Sequence, residues 1–309
     1  MTSVLIYTET GLDVGLGHVT RMLHLANALQ KAGAEVGSWP HRPTAATGWL
    51  HRRGVPMGPS VADIGVIDVM NWDNRMVDAF KAGARKLVVV IGAGQSSKAR
   101  AVGADLMVYQ TGWQPYGAAS DLVPSHLAGP DYLILGPEYT RPSGVPRNRD
   151  ALVVFGAAVP WSYSVGVVAH LSSAGLTGTL VVPPYHAHEF GHTKLPPGFD
   201  MICDPRSLRE LQSSHRVQVG SLGMSTYEAV AAGSIPVVVG RSSDHVATGQ
   251  RLERLGMAHC PGHVDDVTPA TLAMTAARIL SNYAFVRSRQ PIMDGLGAQR
   301  VAKAILELA

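Results

Sequence analysis

The sequence predicts an α/β protein made of two parallel-sheet domains, on three observations. Short runs rich in Val, Ile and Leu recur at residues 4–7, 66–69, 87–91, 106–109, 132–135, 152–155, 180–182, 217–219 and 235–239. They are near-continuous rather than alternating, which is the pattern of strands covered on both faces. Helical periodicity fills the intervals, at residues 19–31, 75–82, 161–174, 207–212, 226–232, 245–255 and 272–283, so strand and helix alternate as in layered α/β folds. Finally, the stretch 136–147, with Gly136, Pro137, Pro142, Gly144 and Pro146, interrupts the pattern, and a fresh strand follows it. This divides the chain into a first domain, residues 1–142, and a second, residues 150–309, facing each other across a cleft. A chain of 309 residues that is 46% hydrophobic can fill two cores of about 150 residues each.

Charged residues make up 16% of the chain and the net charge is +3, without any run of Lys or Arg that would mark a nucleic-acid tail, so phosphorylated small molecules are natural partners and DNA stays open. The cysteines, Cys203 and Cys260, lie far apart and outside any C-x-x-C spacing. They read as thiols of a reducing compartment, not as a disulfide framework or a zinc ribbon. No basic segment precedes the first apolar run, which Glu9 interrupts, and no apolar stretch reaches the roughly 20 residues of a bilayer span. The expectation is a cytoplasmic protein with no membrane span.

The first candidate site is the turn Gly11-Leu12-Asp13-Val14-Gly15-Leu16-Gly17-His18, between the first strand and the first helix. Such a turn brings backbone N–H groups at a helix start to an anion or a sugar, with the His18 imidazole in reach as a proton acceptor. A tight turn whose histidine caps the helix accounts for the same residues. The dinucleotide pattern G-x-G-x-x-G is not met, because Thr20 stands at its third glycine.

The second candidate is Gly220-Ser221-Leu222-Gly223-Met224-Ser225-Thr226-Tyr227-Glu228, again between strand and helix. Ser225 and Glu228 form an S-x-x-E capping box, which suffices locally. The functional reading places a diphosphate at this helix start and a ribose diol on Glu228. The third candidate is Arg241-Ser242-Ser243-Asp244-His245, at the carboxyl end of a strand, where α/β proteins bind ligands. Asp244 as a helix N-cap is the alternative.

His188-Glu189-Phe190-Gly191-His192 matches the zinc-protease pattern H-E-x-x-H, which works only on a helix. Pro183, Pro184, Gly191, Pro196 and Pro197 argue against a helix here, so a histidine-rich loop is expected and no metal site. No Walker A sequence, G-x-S-x-G elbow or Asp-x-Asp pair occurs, and Asp265-Asp266 read as helix caps.

Taken in this order, the motifs resemble those of the GT-B superfamily of nucleotide-sugar enzymes, two Rossmann-like domains facing a cleft. They are most similar to the UDP-sugar hydrolases of pseudaminic acid synthesis, themselves similar to the lipid II glucosaminyltransferases. The pattern G-x-G-H-x-x-R stands here as Gly15-Leu16-Gly17-His18-Val19-Thr20-Arg21. The likeness continues through Ala104-Asp105-Leu106, Leu135-Gly136-Pro137-Glu138-Tyr139, Val154-Phe155-Gly156, residues 223–236 and residues 244–256. The resemblance implies that His18 is a general base and that Gly17, Gly156, Gly223, Met224 and Ser225 lie at the diphosphate. It places Glu228 at the ribose and Asp244 and His245 at the sugar. Departures fall at Leu222-Gly223-Met224-Ser225, at His245 and Thr248 in place of Gln and Asn, at Phe155-Gly156-Ala157-Ala158-Val159-Pro160, and at Gly92-Ala93 in place of an acidic pair.

The expected function is metal-independent, inverting glycosyl transfer from a nucleotide sugar, UDP-linked by the resemblance, with no further cofactor. His18 would deprotonate the acceptor hydroxyl, with Arg241 near the departing diphosphate. A hydrolase with water as acceptor and a catalytically decayed nucleotide-sugar-binding protein are the alternatives. The acceptor is open: a small molecule, a sugar, a lipid carrier, or a modified DNA base reached through Arg42, Arg52, Arg53, Arg147 and Arg149.

Overall fold

The apolar runs of the first half pair into a parallel sheet because their side chains are buried on both faces. In the computed structural model, which describes residues 1–11, 14–70, 72–92, 103–111, 125–156 and 158–309, the strands are β1 (Ser3–Thr8), β2 (Glu35–Ser38), β3 (Ala62–Asp68), β4 (Ala84–Ile91), β5 (Leu106–Tyr109) and β6 (His126–Leu127). They lie in the order β2-β1-β3-β4-β5-β6, all parallel. Along β1, Val4 and Ile6 enter one core while Leu5 and Tyr7 enter the other; Val88 and Val90 against Leu87, Val89 and Ile91 repeat this on β4. Chain order reverses beside β1, so the topological switch point, where doubly wound sheets bind ligands, lies at the carboxyl ends of β1 and β3.

Helices α1 (Gly17–Lys31) and α2 (Ala45–His51) border one core, and α3 (Asn74–Ala82) borders the other. Val19, Met22, Leu25, Ala26 and Leu29 give α1 its buried stripe. Thr44 caps α2 through the Thr47 amide, and Asp73 caps α3 through the Arg75 amide.

In the second half, β7 (Arg149–Val154), β8 (Gly178–Val182), β9 (Phe199–Cys203), β10 (His215–Ser221), β11 (Ile235–Gly240) and β12 (His259–His263) form a second parallel sheet, ordered β12-β11-β10-β7-β8-β9. Renumbered from its own first strand, this is the doubly wound order 3-2-1-4-5-6, with its switch point between β7 and β10. The helices are α4 (Trp161–Ser173), α5 (Arg209–Ser214), α6 (Met224–Ala232), α7 (Ser243–Arg254), α8 (Pro269–Ser281) and α9 (Tyr283–Arg289). Gly233 ends α6 at φ +81, and the guanidinium of Arg147 lies where its side chain would be, donating to the carbonyl of Ala232.

The chain divides into two units, Met1–Thr140 with Asp294–Ala309, and Arg141–Met293. The last helix, α10 (Gly297–Leu306), therefore packs in the first unit, where the sequence reading placed it in the second domain. Ala298, Val301, Ala302 and Ile305 join the core that holds the stripe of α1. The strand expected at residues 132–135 does not form. A short 3-10 turn, Pro130–Tyr132, stands there, and the Gln110 amide takes the place of a neighbouring strand. Its Nε2 donates to the Tyr132 carbonyl (3.0 Å) and its Oε1 accepts from the Ile134 amide (2.9 Å).

His215 opens β10 fully buried and neutral, with Nδ1–H donating to the Leu211 carbonyl (2.7 Å) and Nε2 at the Thr179 hydroxyl (3.1 Å). Burial, with Arg149 and Arg147 adding to it and the Leu211 hydrogen bond opposing, pushes its pKa down to about 4 from 6.5. Above pH 6.5 both the folded and unfolded states are neutral here. As pH falls from 6.5 to about 4, only the unfolded chain takes the proton, so stability is lost across that window. The loss amounts to about 3 kcal/mol at about 1.4 kcal/mol per unit. Urea unfolding at pH 7 and pH 4 is expected to show His215→Gln losing less stability than the parent by about that amount.

Candidate active site

At the first switch point the β1–α1 turn is closed by the Gly15 amide on the Gly11 carbonyl (2.7 Å) and by the Thr10 hydroxyl on the Gly15 carbonyl (2.8 Å), with Gly15 at φ +77. Leu12 and Asp13 lie outside the described residues. Gly17 begins α1 and His18 is its second residue. The imidazole does not cap the helix. Its Nδ1 lies 2.7 Å from Oδ1 of Asp68, the last residue of β3. Arg21, one turn further along α1, clasps the same carboxylate with Nε on Oδ2 (2.8 Å) and Nη2 on Oδ1 (2.8 Å).

Asp68 is fully buried, Arg21 is 6% exposed and the His18 side chain is 14% exposed. Burial pushes the Asp68 carboxyl up, but the charges of Arg21 and His18 and their hydrogen bonds outweigh it, holding the group below the usual carboxylate range. An ionised carboxylate only accepts, so the Nδ1 of His18 carries the hydrogen, and in the neutral ring Nε2 carries the lone pair. The Arg21–His18 approach of 3.4 Å is between two donors and is not a hydrogen bond. A carboxylate that fixes the tautomer and leaves Nε2 as the proton acceptor is the arrangement of a general base. The sequence reading singled out His18 and missed Asp68 and the role of Arg21.

At the second switch point the Gly156 amide, after β7, donates to the Ser221 hydroxyl at the end of β10 (3.2 Å). This joins the two strand ends that flank the crevice. Gly223 precedes α6, and its amide donates to the Thr226 hydroxyl (3.2 Å). The cap is thus made by Gly223 and Thr226. Ser225 lies within the helix, so the S-x-x-E capping box of Ser225 and Glu228 does not form. Instead, the Ser225 carbonyl accepts from Nε2 of Gln212 (3.1 Å) and Nε2 of Gln218 (3.0 Å). These amides are fully buried and bonded to each other (2.8 Å), fixing the first turn of α6 from beneath. Met224, Ser225 and Glu228 are partly exposed on α6.

Asp244 and His245 lie in the first turn of α7, after β11, the neighbour of β10. Asp244 is not the cap: the Ser242 hydroxyl accepts the His245 amide (3.2 Å). Likewise Thr268, rather than Asp265 or Asp266, caps α8. The second unit thus brings Gly156, Gly223, Met224, Ser225, Glu228, Asp244 and His245 to the carboxyl edge of one sheet. Ala93 and Ala157, two of the departures from the GT-B pattern, lie outside the described residues.

The His188–His192 segment is not an α-helix. Pro184–Glu189 is a 3-10 turn broken at His186, whose ring packs on Trp161 (centroids 5.8 Å apart). Among the described residues no group of three or more His, Cys, Asp or Glu side chains is placed to hold a metal. Arg42 pairs with Asp73 (3.2 Å), Arg149 with Asp200 (2.9 Å), Arg147 binds backbone carbonyls, and Arg53 stacks on Trp49 (3.6 Å). Among the described residues no helix is long and apolar enough to cross a membrane.

Two doubly wound parallel sheets in one chain constitute the GT-B fold. The chain is similar in structure, over 99% of both lengths, to the glycotransferase of kitacinnamycin (TM-score 0.67, 15% identity). It is similar to MurG of Acinetobacter baumannii over 99% of this chain and 100% of that one (TM-score 0.65, 13% identity). It also resembles the spinosyn rhamnosyltransferase SpnG, over 100% of this chain and 97% of that one (TM-score 0.63, 14% identity), solved with spinosyn aglycone and also with thymidine diphosphate. No protein-family model and no curated protein matches the chain in sequence.

Proposed function

We propose that the protein transfers a glycosyl group from a nucleoside-diphosphate sugar to a hydroxyl acceptor, with His18 as the general base. The observation that carries this reading is the imidazole held by buried Asp68 at the carboxyl edge of the first switch point. Nε2 of His18 takes the proton of the acceptor hydroxyl as its oxygen bonds to the anomeric carbon. The bond from that carbon to the diphosphate breaks, and the nucleoside diphosphate leaves with the electron pair, inverting the centre. The positive end of α6, at Gly223, Met224 and Ser225, suits the departing charge, and Glu228 suits a ribose diol. No step in this scheme calls for a metal. The fold shared with SpnG, which has been solved with thymidine diphosphate, supports a nucleoside-diphosphate donor.

The G-H-x-x-R sequence at residues 17–21, shared with the UDP-sugar hydrolases, favours a second reading in which water is the acceptor. One assay separates the two. UDP- and dTDP-sugars are incubated with and without a panel of sugar, polyketide and lipid alcohols, and nucleotide and sugar are followed together. Nucleotide release coupled to a glycosylated product is the expected result. Free sugar released at a rate insensitive to acceptor would establish the hydrolase, and absence of turnover with every donor would sink both enzymatic readings.

A further inference from the structure

We propose that Arg21 is the residue that keeps His18 available as a base: it supplies the permanent counter-charge of Asp68, so the carboxylate orients the imidazole without holding a proton on it. This rests on the reading of His18 as the base. Arg21 stands on the buried side of α1 beside Val19 and Met22, where helical periodicity calls for an apolar side chain. Desolvating a guanidinium there is offset only by a carboxylate that takes it in fork geometry, and Asp68 does so through both oxygens.

A fully buried carboxylate requires a cation. Two groups can provide one, the guanidinium, which stays protonated, and the imidazole, which need not. With Arg21 in place the charge of Asp68 is already matched, and a neutral Nδ1–H completes its hydrogen bonds. Without Arg21 the remaining cation for Asp68 is protonated His18, and a protonated ring has no lone pair on Nε2.

The surroundings offer no substitute among the described residues. The largest charges acting on Asp68 are those of Arg21 and His18, and the other titratable groups of α1 are His24, whose pKa burial pushes down, and Lys31 in the last turn. Of the elements packed against α1, β1 carries only Tyr7, on the opposite face of the sheet, and β2 carries only Glu35, at its amino end. In α2 the titratable group is His51 in the last turn; in α10 they are Arg300 and Lys303, paired with Asp294 and Glu307.

Arg21→Lys keeps the charge, whereas Arg21→Gln keeps a donor to Asp68 and removes the charge. The ring nitrogens of His18 are followed by 15N NMR as a function of pH in the parent and both variants, the signal being assigned by its loss in His18→Asn. In Arg21→Gln the midpoint of His18 is expected to lie above that of the parent, while in Arg21→Lys it stays nearer the parent. The acid limb of kcat is expected to move with it, with activity returning at high pH and KM little changed. A folded Arg21→Gln protein with an unmoved His18 midpoint overturns the proposal, as does a loss of activity equal at every pH. The NMR result stands whether or not glycosyl transfer is found, so failure of the functional reading is seen separately.

Discussion

His18→Ala lowers turnover by about 10²- to 10⁴-fold while leaving nucleotide affinity unchanged. The size follows from what is removed. Nε2 takes a proton in the transition state and contributes nothing to holding the nucleotide, so kcat falls and the donor's binding constant does not. Folding is expected to survive, because Asp68 retains both bonds from Arg21 when the imidazole is gone. The measurement pairs steady-state rates with thermal-shift titration by UDP and dTDP, whose proposed contacts, Gly156, Gly223, Met224, Ser225 and Glu228, lie in the second unit. His18→Gln preserves a donor to Asp68 and is expected to lose as much, which distinguishes proton transfer from packing. Equal rates for parent and variant would remove His18 from the chemistry and place the base elsewhere.

The fold was legible in the sequence wherever a strand is covered on both faces. The central strands β1, β3, β4, β5, β7, β8, β10 and β11 all coincide with apolar runs. The strands missed are β2, β6, β9 and β12, and each lies at the edge of its sheet. An edge strand has a neighbour on one side only and needs less apolar side chain, so sequences such as His259-Cys260-Pro261-Gly262-His263 carry no run to detect. The helix α10 has its apolar spacing in plain view at Ala298, Val301, Ala302 and Ile305, but its return to the first unit is a long-range contact that no local pattern encodes.

At the site, the glycine turns announced His18 and the α6 start, because backbone approach to a ligand demands small residues at fixed places. Asp68 was hidden inside a run read as strand. The signal was present, since an ionisable residue ending a fully buried strand must have a partner. The partner was present too, as an arginine on the apolar stripe of α1. Each anomaly has little meaning alone, and the structure joins them.

Asp68→Ala is expected to destabilise the protein by about 3–5 kcal/mol, because it strands the guanidinium of Arg21 in the core without its anion. The double variant Asp68→Leu with Arg21→Met is expected to recover most of that loss, since an apolar pair of similar volume removes both charges and the penalty of desolvating them. Urea unfolding of the parent, Asp68→Leu, Arg21→Met and the double variant gives the coupling energy, and additive losses would show that the fork is not the interaction holding Asp68. The activities should diverge from the stabilities. Asp68→Ala and the refolded double variant both lose the acceptor that fixes the Nδ1–H tautomer of His18, so both should fall in kcat however well they fold. A stable but inactive double variant would show that the buried ions serve the orientation of the imidazole and not the stability of the sheet.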